Sequence, residues 1–514
     1  MQHPQKHQTI QIANHKDIIS RKWRITYRIF EIIPGLSSWL ILISALLLSF
    51  FKPIWVAIFI IVFDVQWLLK VIYLSFNLIL SYKHFKRHLK INWLKKCKEF
   101  QGKINFQNLY HLIILPTYQE SYKVIDSTFK GLKYSDYPRK KMIVILALEE
   151  KDQENGLQIA KKIEKKYGSV FYKFIKSLHP FDLPGELRGK GSNETWAAKV
   201  AKKFIDQEKI AYENIIVSSF DIDTVVHKKY FSCMSYHYMI NPEREKRSYQ
   251  PIPFYYNNIW DSPSLMRVIA TQTSFWMMVE QERTQKLVTF SSHSMSFKTA
   301  LKVGYWQTNI VSEDSRIFYQ CLFYFQGDYK VQSLYMPVYM DTVLDDKYHK
   351  SMLAQYKQQR RWGWGVENCP YVLYRMLKTK IQFWQKIKYA FQELEGKISW
   401  ATTSLILLFL GWLPVVLGGE QFKKTVLAAS LPRITQILMT LSMIGLIGPV
   451  ILNTILLPKR PKHHKKRKWA WMILQWILFP IGAIFFGSMP ALDAQTRLML
   501  GKYMGFAVTP KARK

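Results

Sequence analysis

Residues 214–223 read Asn-Ile-Ile-Val-Ser-Ser-Phe-Asp-Ile-Asp. An apolar run that ends in two carboxylates is the pattern of a buried strand leading into a site. Residues i and i+2 at a strand end project to the same side, so Asp221 and Asp223 are expected to face one space together. Carboxylates so placed suit a hard divalent cation, Mg²⁺ or Mn²⁺, whose shell substrate phosphates complete. Alone, Asp-x-Asp also describes a solvated turn, and its position behind an apolar strand is what gives it weight.

Two runs of the same kind come first, HLIILP at 111–116 and MIVILAL at 142–148, while 153–166 and 194–205 have helical periodicity. Strands alternating with helices over residues 100–370 predict an α/β domain with a largely parallel sheet. In such sheets ligands bind beyond the carboxyl ends of the strands. Each of the three runs is followed by a polar cluster: Thr117-Tyr118-Gln119-Glu120, Glu149-Glu150-Lys151-Asp152, and Asp221-Ile222-Asp223. Together they predict one site at one edge of the sheet.

Two further motifs carry chemistry. Ser312-Glu313-Asp314 offers a general base, and it also reads as a helix start, with Ser312 as N-cap and acids in the first turn. In Gln358-Gln359-Arg360-Arg361-Trp362, helical spacing puts Gln358, Arg361 and Trp362 on one face and turns Arg360 away. An amide, a guanidinium fork and a flat aromatic suit a diphosphate and a sugar ring. Beyond it, Leu373, Leu377, Ile381, Trp384, Ile387, Phe391 and Leu394 recur every three or four residues among Lys and Arg. This predicts an amphipathic helix lying on a bilayer or packed on the α/β domain.

The 514 residues are 49% hydrophobic and 15% aromatic, which excludes a mostly disordered chain. Cys97, Cys233, Cys321 and Cys369 have no close pair, which argues against a disulfide scaffold and a Cys-based zinc site. The formal net charge of +37 fits either nucleic acid or the anionic face of a membrane. Its distribution favours the membrane: Lys and Arg crowd residues 1–31, 83–98 and 459–468, next to apolar blocks. No nucleic-acid-binding signature accompanies it.

The apolar runs at 32–51, 53–82, 398–419, 434–458 and 469–492 are long enough to span a bilayer. Pro480, Gly482, Gly487 and Pro490 interrupt the last, which therefore reads as a span or a re-entrant segment. The first run reads as an anchor, not a removed signal. The expected organisation is a basic segment (1–31), a membrane hairpin (32–82), the α/β domain (83–370), an interfacial helix (371–397), two membrane helices (398–458), a basic loop (459–468), the interrupted segment (469–492) and a tail (493–514). The positive-inside pattern places the α/β domain in the cytosol of a multi-pass protein of the plasma (inner) membrane.

In this order and membrane context, TYQE (117–120), GKGSN (189–193), DID (221–223), SED (312–314) and QQRRW (358–362) resemble the membrane-embedded family 2 glycosyltransferases, such as the processive cellulose, hyaluronan and chitin synthases. The resemblance implies a GT-A (Rossmann-like) domain that takes a nucleotide-sugar donor, with UDP the expected nucleotide, and Mg²⁺ or Mn²⁺. It implies that Thr117, Tyr118 and Glu120 line the nucleoside site, with Glu150 or Asp152 as a second acid there. Lys190 and Asn193 would lie near the diphosphate, with Asp221 and Asp223 as the Asp-x-Asp pair and Asp314 as the base. Gln358 and Arg361 would approach the donor diphosphate, and Trp362 the acceptor sugar. The tail FAVTPK (506–511) is similar to the gating loop of cellulose synthases, whereas Thr289-Phe290-Ser291-Ser292-His293 replaces their Phe-Phe-Cys-Gly-Ser acceptor motif.

The expected activity is inverting transfer of a sugar to a growing polysaccharide, possible export included, with a second copy or an export partner completing a channel. The alternatives are single transfer to a lipid or short-glycan acceptor and, more remotely, a non-catalytic scaffold or transporter.

Overall fold

The computed structural model describes residues 11–445, 447–505 and 513. Eight strands form one sheet: β1 (Tyr110–Pro116), β2 (Met142–Glu149), β3 (Lys173–His179), β4 (Ile215–Ser219), β5 (Val225–Val226), β6 (Arg247–Phe254), β7 (Ser294–Ser296) and β8 (Lys330–Tyr339). Their order is β3-β2-β1-β4-β7-β6-β8-β5. The β3-β2-β1-β4 half is parallel, as is β6 against β8, while β7 runs antiparallel between β4 and β6. The expected α/β fold with a mostly parallel sheet is the observed one.

The apolar runs form strands because both of their faces are covered. Leu112 and Ile114 of β1 pack on one side with Ala197, Ala198 and Ala201 of the helix Lys190–Gln207. Ile113 and Leu115 pack on the other with Ile125, Phe129 and Leu132 of the helix Tyr122–Lys133. Each such side chain, fully buried, contributes roughly 1.5–3 kcal/mol. The run expected at 214–220 is the fourth strand in chain order, because β3 comes before it. In β3, Lys173 and Lys176 interrupt the apolar residues, and its place at the sheet edge leaves those lysines reachable by water.

Among the described residues, five helical stretches are long and apolar enough to cross a membrane: Arg21–Phe51, Pro53–Lys90, Phe383–Leu417, Val426–Leu456 and Lys468–Met499. On Pro53–Lys90, Trp55, Val62, Leu69 and Phe76 recur every seventh residue and are exposed, while Ala57, Ile60 and Asp64 face inward. An outward apolar stripe of this kind has lipid as its natural solvent. Asp64 is buried on the inward face, and Lys70 Nζ donates to Ser399 Oγ on another helix at 3.2 Å. The last stretch is interrupted as expected: Pro480 and Pro490 each sit in the first turn of a new helical piece, with a π-helical turn at Ile484–Ser488 between them.

The amphipathic helix expected over 371–397 is two helices, Asn368–Lys378 and Phe383–Phe409. The chain breaks at 379–382, where Thr379 is extended and Ile381 turns into the core beneath the sheet. The first helix is a packing element, with Tyr371, Val372, Tyr374 and Met376 buried. The second exposes Phe383, Trp384, Ile387 and Phe391 before running on into a stretch long and apolar enough to cross a membrane.

Candidate active site

A cavity of about 370 Å³ opens at the carboxyl ends of β1 to β4. Thr117, Tyr118 and Glu120 line it after β1, Glu149 and Lys151 after β2, His179 and Phe181 after β3, and Asp221 after β4. Lys190 and Asn193 enter from the first turn of the helix Lys190–Gln207, and Arg361 from the helix Tyr348–Gly363. The four strand ends converge because parallel strands all finish on the same side of the sheet. An 18-residue helix that begins at the cavity wall also turns its positive dipole end toward a bound anion.

Lys190 is the centre of the site. Its buried ammonium lies 2.8 Å from Asp221 Oδ1, 2.8 Å from both Asp314 carboxylate oxygens and 3.5 Å from Glu194 Oε1. Burial opposes its charge, but Asp221, Asp314, Glu194 and Glu313 outweigh burial and hold its pKa well above the usual lysine value. One ammonium cannot neutralise four carboxyls. Glu194, fully buried and accepting from Ser219 Oγ, is pushed up to about 8 by burial, against the pull of Lys190 and with a further push from Asp314. Glu313 is likewise raised, first by burial and then by Asp314. Gly191 lets the helix start come this close: a Cβ there would stand 2.8 Å from the Gln307 carbonyl oxygen and 3.0 Å from Glu313 Cβ.

Asp221 and Asp223 do not lie on the strand, which ends at Ser219, and a turn at 222–223 leads away from it. Asp221 keeps 25% of its side chain exposed to the cavity. Asp223 is fully buried, and its Oδ2 accepts the Asp341 backbone N–H at 2.8 Å. Tyr255 joins the pair electrostatically: burial, then Asp221 and Asp223, raise its phenol pKa, and its ring lies 6.0 Å from that of Trp362. On the helix Tyr348–Gly363, Gln358 is buried and accepts from Gln355 at 3.3 Å. Arg360 turns away, as the spacing predicts, to Asp493 at 2.9 Å.

Of the acids after β2, neither Glu150 nor Asp152 lines the cavity. Glu150 Oε2 accepts the Phe181 N–H at 2.6 Å, and Asp152 Oδ2 accepts that of Gln119, a residue held at φ 57°, at 2.8 Å. Both fix the loops that carry lining residues. Glu149, the last residue of β2, lines the cavity itself. Its carboxylate and that of Glu186 each stand 3.0 Å from a ring nitrogen of His179. Burial opposes protonation of this imidazole, but the two carboxylates prevail and its pKa is raised. Asn193 donates to the Ala147 carbonyl at 3.0 Å.

Asp314 sits in the first turn of the helix Glu313–Tyr324, as expected, but Ser312 does not cap that helix through its own hydroxyl. The hydroxyl donates to Glu367 instead. Thr289 Oγ1 donates to the Asp314 carbonyl at 2.6 Å, and His293 Nδ1 stands 3.8 Å from the Asp314 carboxylate. His293 is fully buried, with Nδ1 on the Phe290 carbonyl and Nε2 accepting from Trp306, and burial lowers its pKa. Glu194, Tyr255 and Asp341 escaped the sequence reading because each owes its place to a contact across the fold, while Glu149 was read only as one of the cluster after the second strand. FAVTPK (506–511) lies outside the described residues. Beyond it, Arg513 holds Asp341 at 2.7–2.9 Å.

Asp221 and Asp223 offer hard oxygens beside a cavity with an excess of buried carboxyls, a donor set suited to Mg²⁺ or Mn²⁺. Among the described residues, two other groups of side chains bring three ligand-type atoms within 4.8 Å of one another: His88, Cys233 and His237, and Asp261, His463 and His464. In the first, the Leu334 carbonyl already engages His88 at 3.0 Å and lies 3.9 Å from Cys233 Sγ. In the second, His463 and His464 come from the loop 459–468, whose seven Lys and Arg repel a cation.

No curated protein sequence matches the chain significantly. Among solved structures, the mannosyltransferase PcManGT from Pyrobaculum calidifontis, in complex with GDP-Man and Mn2+, is 14% identical, with 76% of this chain and 98% of that chain covered at a TM-score of 0.39. S. aureus TarS 1-349 in complex with UDP-GlcNAc is 13% identical, with 68% and 91% covered at a TM-score of 0.35. The profile of Glycosyl transferase family group 2 matches residues 216–484, more than half of the chain, and the protein belongs to this family of glycosyltransferases.

Proposed function

We propose that this glycosyltransferase moves a sugar from a nucleotide-sugar, with UDP the expected nucleotide, to a growing polysaccharide at a membrane, inverting the anomeric centre. The acceptor hydroxyl attacks the anomeric carbon from the face opposite the nucleotide. The bond from that carbon to the diphosphate oxygen breaks, its electron pair leaves with the diphosphate, and Asp314 takes the hydroxyl proton. Lys190 and Arg361 stabilise the negative charge that develops on the leaving group. Asp221 and Asp223 would hold a divalent cation, which would supply further charge neutralisation at the diphosphate. Thr117, Tyr118 and Glu120 hold the nucleoside, Glu150 and Asp152 brace its loops, Gln358 joins Arg361 at the donor diphosphate, and Trp362 serves the acceptor sugar.

The observation that carries the reading is the placement of one ammonium against both Asp221 and Asp314 at the wall of the cavity. With no donor bound, Lys190 neutralises the base. Diphosphate oxygens compete for the same ammonium, so donor binding frees Asp314 when a leaving group is in place.

The five apolar helices and the basic loops between them support a multi-pass protein of the plasma (inner) membrane whose catalytic domain faces the cytosol. The proposal extends to export of the polymer, through this chain or with a second copy or partner. The exposed Phe383, Trp384 and Phe391 favour a second reading, single transfer to a lipid-linked acceptor held at the bilayer surface. Purified protein in lipid, given a panel of radiolabelled UDP-sugars, tests both: a ladder of long products supports the polymerase, and one discrete lipid-extractable product supports the second reading.

A further inference from the structure

We infer that Glu367 is a positioning residue for Asp314, a carboxylate cap that ties the helix bearing Gln358, Arg361 and Trp362 to the base. The inference rests on the reading of Asp314 as proton acceptor. The helix Glu313–Tyr324 starts without a side-chain cap of its own. Glu367, 55 residues beyond Ser312, instead holds the backbone N–H groups of Val311 and Ser312 just ahead of that helix. Its Oε1 accepts from Val311 N at 3.1 Å, Ser312 N at 2.8 Å and Ser312 Oγ at 2.7 Å, and its Oε2 accepts from Trp364 Nε1 at 2.9 Å.

Four donors converge on a side chain that is 6% exposed. Only a carboxylate satisfies all four. An amide that kept its oxygen on Val311 and Ser312 would turn its NH₂ toward the Trp364 N–H, donor against donor. A negative charge at a helix N-terminus is also favourable, and this one comes from a turn, Trp364–Glu367, that directly follows the helix Tyr348–Gly363. The next turn of the base helix is clamped from the same segment: Arg316, fully buried, donates to the Glu367 carbonyl at 3.0 Å and to Asn368 Oδ1 at 2.6 Å. The backbone two residues before Asp314 therefore moves with the end of the Gln-x-x-Arg-Trp helix. Neither Glu367 nor its four donors lines the cavity.

The test is donor turnover and UDP binding by Glu367→Gln, Trp364→Phe and Ser312→Ala in the full chain reconstituted in lipid. The expected result for Glu367→Gln is a loss of kcat of tenfold or more, with donor KM and UDP affinity within threefold of wild type and a shift in the acid limb of the kcat–pH profile. Trp364→Phe removes only the Oε2 donor and should keep kcat within threefold; Ser312→Ala should fall between the two. Unchanged kcat in Glu367→Gln, or a parallel loss of kcat and UDP affinity, overturns the positioning role. If Glu367→Gln does not fold, Ser312→Ala decides: wild-type kcat there overturns the proposal. Failure of the underlying reading shows separately, as wild-type protein that releases no nucleoside diphosphate from any donor.

Discussion

Lys190 Nζ lies 2.8 Å from both carboxylate oxygens of Asp314, a residue 124 positions further along the chain. The same ammonium is 2.8 Å from Asp221, so one buried cation links the residue that would hold the donor to the residue that would accept the proton. Buried charges of this kind are stable only when paired. Anything that withdraws Lys190 from Asp314 changes both functions together.

Replacing Lys190 with Met leaves Asp221 and Asp314 close together without their cation. Removing one partner of a buried pair costs about 3–5 kcal/mol. Donor affinity is expected to fall at least tenfold and thermal stability to drop at neutral pH, with part of the stability recovered at low pH as the carboxyls take up protons. Calorimetric titration with UDP and a melting series over pH check it; wild-type affinity in the variant contradicts it.

Gly191→Ala places a Cβ 2.8 Å from the Gln307 carbonyl oxygen. That oxygen belongs to backbone and cannot swing aside, so the helix start must shift. Overpacking of this order costs about 1–3 kcal/mol. Because the second obstacle is Glu313, the shift reaches the base helix, and kcat should fall more than donor KM rises. Steady-state kinetics on the variant give the ratio.

Glu194 has a folded-state pKa of about 8, above the value near 4.3 of an unfolded chain. Its linked stability is full below about pH 4 and is lost as pH rises through about 8. Glu194→Gln mimics the protonated form at every pH. Wild type should therefore lose thermal stability relative to the variant between pH 5 and pH 8.5, and parallel melting curves would contradict the assignment.

His179 behaves with the same sign for a different reason. Its raised pKa comes from Glu149 and Glu186 acting against burial, so its contribution is full below about pH 6.5 and fades as pH rises through the elevated value. Glu186→Gln removes one partner. The variant should show a smaller loss of melting temperature than wild type across that window, which scanning fluorimetry in detergent measures.

Much of the fold was legible where burial is continuous. β1, β2 and β4 read directly because both faces of each are covered, so their apolar runs are unbroken. β3 was hidden by Lys173 and Lys176, and the break at 379–382 by an apolar repeat that runs through it while Ile381 turns inward. At the site, Asp221, Asp314, Lys190 and Arg361 were visible as motifs. Glu367 and Asp341 were not, because their value lies in backbone groups they meet: Glu367 takes N–H groups 55 and 56 positions away, and Asp341 gives its own N–H to Asp223, 118 positions away. Glu149 took the place expected of Glu150 because Glu150 turns to the Phe181 N–H while Glu149 lines the cavity.

The most direct test of the central claim compares wild type with Asp314→Asn, measuring nucleoside diphosphate release from the productive UDP-sugar alongside UDP affinity in the presence of Mn²⁺. Loss of a general base is expected to slow release by about 10²–10⁴-fold. The account predicts that loss with UDP affinity within a few-fold of wild type; turnover retained in Asp314→Asn would contradict it.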